Sequence, residues 1–403
     1  MRRAEQLHEQ VLARLDLSRE ASDEELLEVI HQVLEECSER EFIPLKEKAA
    51  LGKELFNAFR KLDILQELIE DETISEIMIN GVEGIFIERE GRSLLSDKKF
   101  ISRGKLEDVI QQMVAECNRV VNEASPIVDA RLADGSRVNV VLPPAAINGP
   151  IVTIRKFPDR RITMSDLLEL EAVSREAADF LIALVRAGYN IFISGGTGSG
   201  KTTFLNVLSD YIPAEERVIT IEDNAELQIT EIPNLVRLEA RNANVEGIGE
   251  ISIRDLIRTA LRMRPDRILV GEVRGPEAID MLQAFNTGHD GSMSTGHANS
   301  PRDMLSRLET MVLMGMELPL AAVQRQIASG IDILVHLGRL RDKSRKVLEI
   351  MEVMGYEEGE IKLQPLFSFK ETGSKNETIQ GEWVKCRELA GTEKLMAAGY
   401  SKA

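Results

Sequence analysis

The residues of this sequence best suited to chemistry are Gly195-Gly196-Thr197-Gly198-Ser199-Gly200-Lys201-Thr202-Thr203. Gly195, Gly200, Lys201 and Thr202 meet the pattern G-x-x-x-x-G-K-[ST] in full. Its spacing has a physical reason. Glycines let the backbone close around an anion without Cβ clashes, so successive N–H groups point inward. The start of the following helix adds its positive dipole end. Lys201 brings a point charge to β- and γ-phosphates, and the Thr202 hydroxyl is a ligand for Mg²⁺. The apolar run Tyr189 to Ser194 before the loop reads as a strand, and the residues after it as a helix, which is the context the motif requires.

Transfer of a phosphoryl group to water needs a clamped metal, a positioned water and positive charge around the phosphates. Acids at the ends of strands after the loop are the places to look, because a parallel sheet presents its ligands there. Two stretches qualify: Ile221-Glu222-Asp223 closes one predicted strand, and Ile268-Leu269-Val270-Gly271-Glu272 closes another. Gly271 stands where an aspartate is common, so metal binding and water activation are expected to divide between Glu222 and Glu272. Two of the chain's five histidines, His289 and His297, lie in the small, polar segment Thr287 to Ser300. Zinc is the rival use for them, but no cysteine is near and the spacing suits no common zinc module. An imidazole donating to a γ-phosphate fits better.

The elements that position these groups follow from periodicity. Residues 1–60 read as a small helical bundle, with a start signal at Ser22-Asp23-Glu24-Glu25 and Pro44 opening a later helix. Residues 61–157 read as an α+β domain with antiparallel strands at Ile74–Ile79, Gly84–Glu88, Ile127–Leu132, Arg137–Leu142 and Ile151–Arg155, and a helix over Leu106–Cys117. Arg131, Arg137 and Arg155 fall on or beside these strands. Strand arginines are more often solvated, but these precede a phosphate-binding domain. Residues 158–166 read as a polar linker. Over 167–345 strands and helices alternate, as in a parallel sheet with crossover helices. Residues 346–403 read as short strands and a closing helix that carries Trp383, the single tryptophan.

Composition bounds the function classes. The 403 residues allow two or three domains with real cores, and 43% hydrophobic content argues against wholesale disorder. No apolar run is long enough to span a bilayer, and the first residues lack the apolar core of a signal peptide. Cys37, Cys117 and Cys386 are odd in number and far apart, which points to a reducing compartment and not to a disulfide framework. A net charge of −17 disfavours a general nucleic-acid binder. A nucleic-acid-translocating RecA-like motor and a module that holds ATP without turning it over are the competing classes. The acidic balance counts against the first, and the two strand-end acids against the second.

From about residue 60 to 355 the chain closely resembles the CpaF family, the tight-adherence or Flp-pilus branch of the type II/type IV secretion ATPases. The resemblance rests on Asp129-Ala130-Arg131-Leu132, Asp134-Gly135-Ser136-Arg137-Val138-Asn139, Thr153-Ile154-Arg155-Lys156-Phe157, Ile221-Glu222-Asp223, Arg264-Pro265-Asp266-Arg267-Ile268, Val270-Gly271-Glu272-Val273-Arg274-Gly275 and His289 through Ser300. It implies a RecA-like ATPase domain with a mainly parallel sheet, preceded by an α+β, PAS-like domain and a helical bundle. It implies ATP and Mg²⁺, with Glu222 positioning or deprotonating the attacking water, Glu272 and Thr202 holding the metal, and His297 sensing the γ-phosphate with His289 a second member of its box. Arg131, Arg137 and Arg155 would face the nucleotide, and Arg237 and Arg241 would serve from the same or a neighbouring subunit. The family further implies a homo-hexamer at the inner face of the cytoplasmic membrane. It would dock on an inner-membrane platform protein and power pilus assembly or protein secretion, without inserting into the membrane or stably binding nucleic acid. Arg241-Asn242-Ala243-Asn244 departs from the proline-containing version expected there.

Overall fold

The computed structural model describes residues 3–15, 19, 21–40, 42–89, 91–157, 161–241, 249–375 and 378–400. These form two compact units, Met1–Arg160 and Arg161–Ala403. Residues 242–248, which include most of the atypical Arg241–Asn244 stretch, lie outside the described residues, as do 158–160 of the expected linker.

The first unit opens with α1 (Arg3–Leu12), α2 (Asp23–Arg40) and α3 (Leu45–Arg60). Leu7, Val11, Leu26, Ile30, Val33, Leu34, Leu51 and Leu55 recur at helical spacing and close on one another as a separate small core. Then come α4 (Ile64–Glu70), β1 (Ile74–Asn80), β2 (Gly84–Arg89), β3 (Arg92–Leu95), α5 (Arg103–Glu116), β4 (Ile127–Arg131), β5 (Arg137–Val141) and β6 (Ile151–Arg155). The six strands form one antiparallel sheet in the order β3-β2-β1-β6-β5-β4. Alternation sends Ile77, Ile79, Val138, Val140, Val152 and Ile154 into a core shared with Leu106, Val109, Ile110 and Met113 of α5. The alternate residues, among them the three arginines, therefore stand on the other face.

The second unit contains α6 (Met164–Glu169), α7 (Arg175–Arg186), β7 (Ile191–Gly195), α8 (Lys201–Ser209), β8 (Val218–Glu222), β9 (Leu235–Glu239), α9 (Ile253–Ala260), β10 (Arg267–Val270), α10 (Ala278–Phe285), β11 (Met293–His297), α11 (Pro301–Gly315), α12 (Leu320–Gly330), β12 (Ile333–Arg339), β13 (Arg345–Glu357), β14 (Glu360–Lys375), β15 (Thr378–Lys385) and α13 (Glu393–Ala397). The sheet order is β15-β14-β13-β12-β7-β11-β10-β8-β9. The six strands from β12 to β9 run parallel, and β13 to β15 extend that sheet as an antiparallel meander. Helices cover both faces, so β7, β8 and β10 are buried along their whole length.

The polar segment at 293–297 forms a buried central strand. Two expectations change. The strands after Lys346 are long, and Trp383 sits on β15 instead of a closing helix. Its indole donates to the Val347 carbonyl at 2.8 Å, while the closing helix α13 begins ten residues later. Alternating polar residues hid this meander, because its outer strands bury one face only.

Candidate nucleotide site

The parallel register fixes the geography of the site. Gly195 at the end of β7 lies between His297 on β11 and Leu337 on β12. The loop from Gly195 to Gly200 therefore leaves the carboxyl edge of the sheet at its centre, where a crossover sheet opens a ligand crevice. Gly198 and Gly200 take φ of +69° and +92°, a region closed to most side chains. Ser174, Ser252 and Ser300 cap α7, α9 and α11, whereas α8 starts at Gly200 with no side-chain cap. The Ser199 amide, the Ser199 hydroxyl and the Lys201 ammonium all donate to the Gly196 carbonyl, at 3.3, 2.8 and 3.1 Å. One carbonyl oxygen thus collects donors that a phosphate oxygen would use. Gly196, Thr197, Thr202 and Thr203 complete the loop and the first turn of α8, with Thr203 exposed.

Two acids lie on the side of the loop beyond β11, Glu272 just past β10 and Glu222 at the end of β8. Lys201 Nζ lies 3.2 Å from Nδ1 of His297, and Nε2 of His297 lies 2.8 Å from Oε1 of Glu272. The ammonium donates to a neutral ring at Nδ1, and Nε2 approaches the carboxylate closely without hydrogen-bond alignment, since Glu272 Oε1 is buried with no hydrogen-bond partner. Burial lowers the pKa of His297, against a counteracting pull from Glu272, and Lys201, Arg274 and Arg307 lower it further. Arg274 holds the other Glu272 oxygen from Nε and Nη2, at 2.9 and 2.7 Å.

Glu222 is 3% exposed. Its Oε2 accepts from the amides of Glu226 and Leu227 at 2.7 and 2.8 Å, while Oε1 is buried and makes no hydrogen bond. Burial drives its pKa up to about 7, with the two amides and Arg237 pulling the other way. The backbone of β8 carries Glu222 alongside Gly271, whose N–H donates to Ile221. A Cβ at position 271 would lie 2.9 Å from Cγ of Glu222. Glycine at the end of β10 is therefore what leaves room for the acid on β8.

In the first unit, register places Arg131 opposite Arg137 and Arg137 opposite Arg155, with Glu76 opposite Arg155. Three guanidinium side chains thus stand in one row across β4, β5 and β6. Arg131 packs over the Phe157 ring, 5.9 Å from its centroid, and Arg155 Nε lies 4.0 Å from a Glu76 oxygen. Directly opposed like charges cost stability in a sheet, so such a row is suited to an anion.

The remaining sequence candidates separate. Arg237 donates to the Leu227 carbonyl at 2.9 Å, which places it beside the Glu222 cradle. Arg241 donates to the Gly249 carbonyl at 2.7 Å. His289 does not join His297 in this chain. Its Nδ1 meets the Ala284 carbonyl at 3.1 Å, and it precedes the amino end of β11, whereas His297 ends that strand. The five-residue strand between them puts the two rings at opposite edges of the sheet. Three other residues reach the loop or the groups beside it. Arg345 Nε donates to the Gly198 carbonyl at 2.8 Å, Arg274 grips Glu272, and His336 contacts Ser194 at 2.9 Å. No spacing rule links residues 140 positions apart, so only Arg274, next to Glu272, carried a sequence signal.

A glycine-rich loop between a central parallel strand and its helix, with acids at the ends of two further strands of the same sheet, defines an α/β protein with a mainly parallel sheet. The chain belongs to the family described as type II/IV secretion system protein, which matches residues 59–387. It is 35% identical to a putative conjugal transfer protein of Mycobacterium tuberculosis, over 71% of this chain and 83% of that protein. It is 34% identical to the type IV secretion system protein PtlH of Bordetella pertussis, over 72% of this chain and 93% of that protein. The crystal structure of the pilus retraction motor PilT with bound ADP shares the fold, with a TM-score of 0.51, 21% identity and coverage of 75% of this chain and 81% of that one. Among the described residues no helix is long and apolar enough to cross a membrane.

Proposed function

We propose that this chain hydrolyses ATP to ADP and phosphate and uses the cycle to drive a secretion or pilus-assembly machine. The observation that carries this reading is the contiguous set Lys201–His297–Glu272 at 3.2 and 2.8 Å, with the buried Glu222 on the adjacent strand. In the reaction, the phosphate loop and Lys201 hold the β- and γ-phosphates. Glu222, through its unpaired Oε1, takes the proton of the attacking water. The new bond forms from water oxygen to the γ-phosphorus, and the bond from that phosphorus to the bridging oxygen breaks, leaving ADP. His297 donates to the γ-phosphate once Lys201 turns from its ring to the nucleotide. The hydroxyl of Thr202 and the carboxylate of Glu272 are hard oxygen donors, suited to Mg²⁺ that keeps most of its ligands as water and phosphate. That ion, when bound, neutralises charge on the phosphates.

By the resemblance to the CpaF branch, Arg131, Arg137 and Arg155 supply further positive charge to the nucleotide. By its resemblance to the CpaF branch, the working form is a homo-hexamer docked on an inner-membrane platform protein at the cytoplasmic face, assembling a Flp-type pilus. The domain limits 1–60, 61–157, 158–166, 167–345 and 346–403 belong to the same proposal. Phosphate release from ATP by the purified chain tests the core claim. Lys201→Ala is expected to lower turnover at least about 100-fold, since it removes both phosphate charge and loop geometry. Full turnover in that variant would overturn the assignment.

A further inference from the structure

His336 is a buried titratable group that the mechanism above leaves unused. It lies on β12, 5% exposed, and register sets it beside Ser194, the residue before the phosphate loop. Its Nδ1 is 2.9 Å from the Ser194 hydroxyl, and the ring also makes a hydrogen bond to the backbone of Asn299, two residues beyond His297. One arrangement serves both neighbours. The Ser194 hydroxyl donates to Nδ1, and the opposite ring N–H donates to the Asn299 carbonyl. Burial favours the neutral ring, as that arrangement requires, with the Asn299 carbonyl and Asp303 pulling the other way and Lys201 adding to the effect of burial. Asn299 precedes Ser300, which caps α11 by accepting from the Asp303 amide at 3.0 Å.

The side chain therefore crosses from β12 over β7 to the segment leaving β11. It ties together the strand that feeds the loop, the histidine beside Lys201 and the start of a helix. We propose that His336 is a positioning residue. By holding Ser194 and Asn299 at a fixed separation, it keeps His297 in register with the phosphate loop, so that arrival and loss of the γ-phosphate move α11. The inference rests on the ATPase reading above. It predicts a defect in the chemical step and not in nucleotide capture, because the loop itself stays intact.

The test compares His336→Leu, His336→Gln and Ser194→Ala with the wild-type chain. ATP turnover, binding of a fluorescent ATP analogue with Mg²⁺, and thermal melting are measured on each. His336→Leu is expected to lower kcat about tenfold or more, with analogue affinity within about twofold of wild type. His336→Gln, which keeps a donor and an acceptor, is expected to recover most of that loss. Ser194→Ala removes the 2.9 Å bond to the ring, together with a longer 3.5 Å contact to the Val335 carbonyl, with little change in volume, and is expected to lower kcat several-fold. In the double variant with His336→Leu it should add little further loss. Wild-type kcat in His336→Leu, or a Gln variant as impaired as Leu, would overturn the proposal. So would a fall in analogue affinity that matches the fall in kcat. If the leucine variant does not fold, Ser194→Ala decides alone, and unchanged kcat there sinks the idea. A wild-type chain that hydrolyses no ATP sinks the nucleotide reading and this one with it, whereas normal wild-type turnover with indifferent variants removes only the role of His336.

Discussion

Glu222 shows how a single residue can be tuned by where it sits. A carboxyl that ionises near 4.5 in an open chain is moved to about 7 by burial, which suits a base working at neutral pH. Two outcomes follow. Turnover at saturating ATP should rise with pH and reach half its plateau near 7, and a rate flat from pH 6 to 8 would exclude Glu222 as the base. Stability moves the other way. Between about 4.5 and 7 the folded chain keeps the proton that the unfolded chain has released, so stability falls as pH rises through that window, and the full cost is present above it. Glu222→Gln should therefore lose turnover at least about 100-fold while gaining on the order of 2 kcal/mol of stability at pH 8 and little at pH 5. Denaturant melts at the two pH values check the difference.

At the scale of the elements, the proposed chemistry rests on two strand ends and one sheet row. Gly271 closes β10 so that the Glu222 side chain can occupy the space beside it. Gly271→Ala should push Glu222 off the amides of residues 226 and 227, cost about 1–3 kcal/mol as an overpacked site, and lower turnover more than tenfold. Rates and melting of that variant decide it, and normal turnover would show that Glu222 is free to shift. The row Arg131–Arg137–Arg155 brings like charges together across three strands. Arg137→Gln should lower turnover at least about tenfold, because it removes positive charge proposed to serve the nucleotide, with thermal melting on the same samples as the check on folding. A folded variant with full turnover would contradict the anion-binding role. Both features depend on strand register, and a one-residue slip would turn each arginine to the opposite face.

At the scale of the whole molecule, the chain divides at Arg160–Arg161 into a unit with the arginine row and a unit with the phosphate loop. An active form built from several chains makes turnover per chain depend on protein concentration. Specific activity should rise steeply with concentration at low loading and level off as rings fill, followed by light scattering on the same samples. Specific activity constant down to nanomolar chain, with a monomeric mass, would show that one chain suffices. Added Mg-ATP should raise the melting temperature through preferential binding to the folded state.

Local rules reached far into this protein. The phosphate loop, the acids that end two apolar strands and the helical bundle are all encoded by neighbours within a few residues, so periodicity and spacing expose them. The α/β class and the mainly parallel sheet followed from the alternation of strands and helices. Tertiary structure decided what sequence distance conceals. Ser294 and Thr295 lie in a buried strand because helices cover both faces of the sheet, although their side chains are polar. His289 and His297, neighbours in sequence, are parted by the length of β11. His336 and Arg345 meet the loop from 140 or more positions away. Parallel pairing joins strands that crossovers hold far apart along the chain, so partners across β12, β7 and β11 become adjacent only when the sheet assembles.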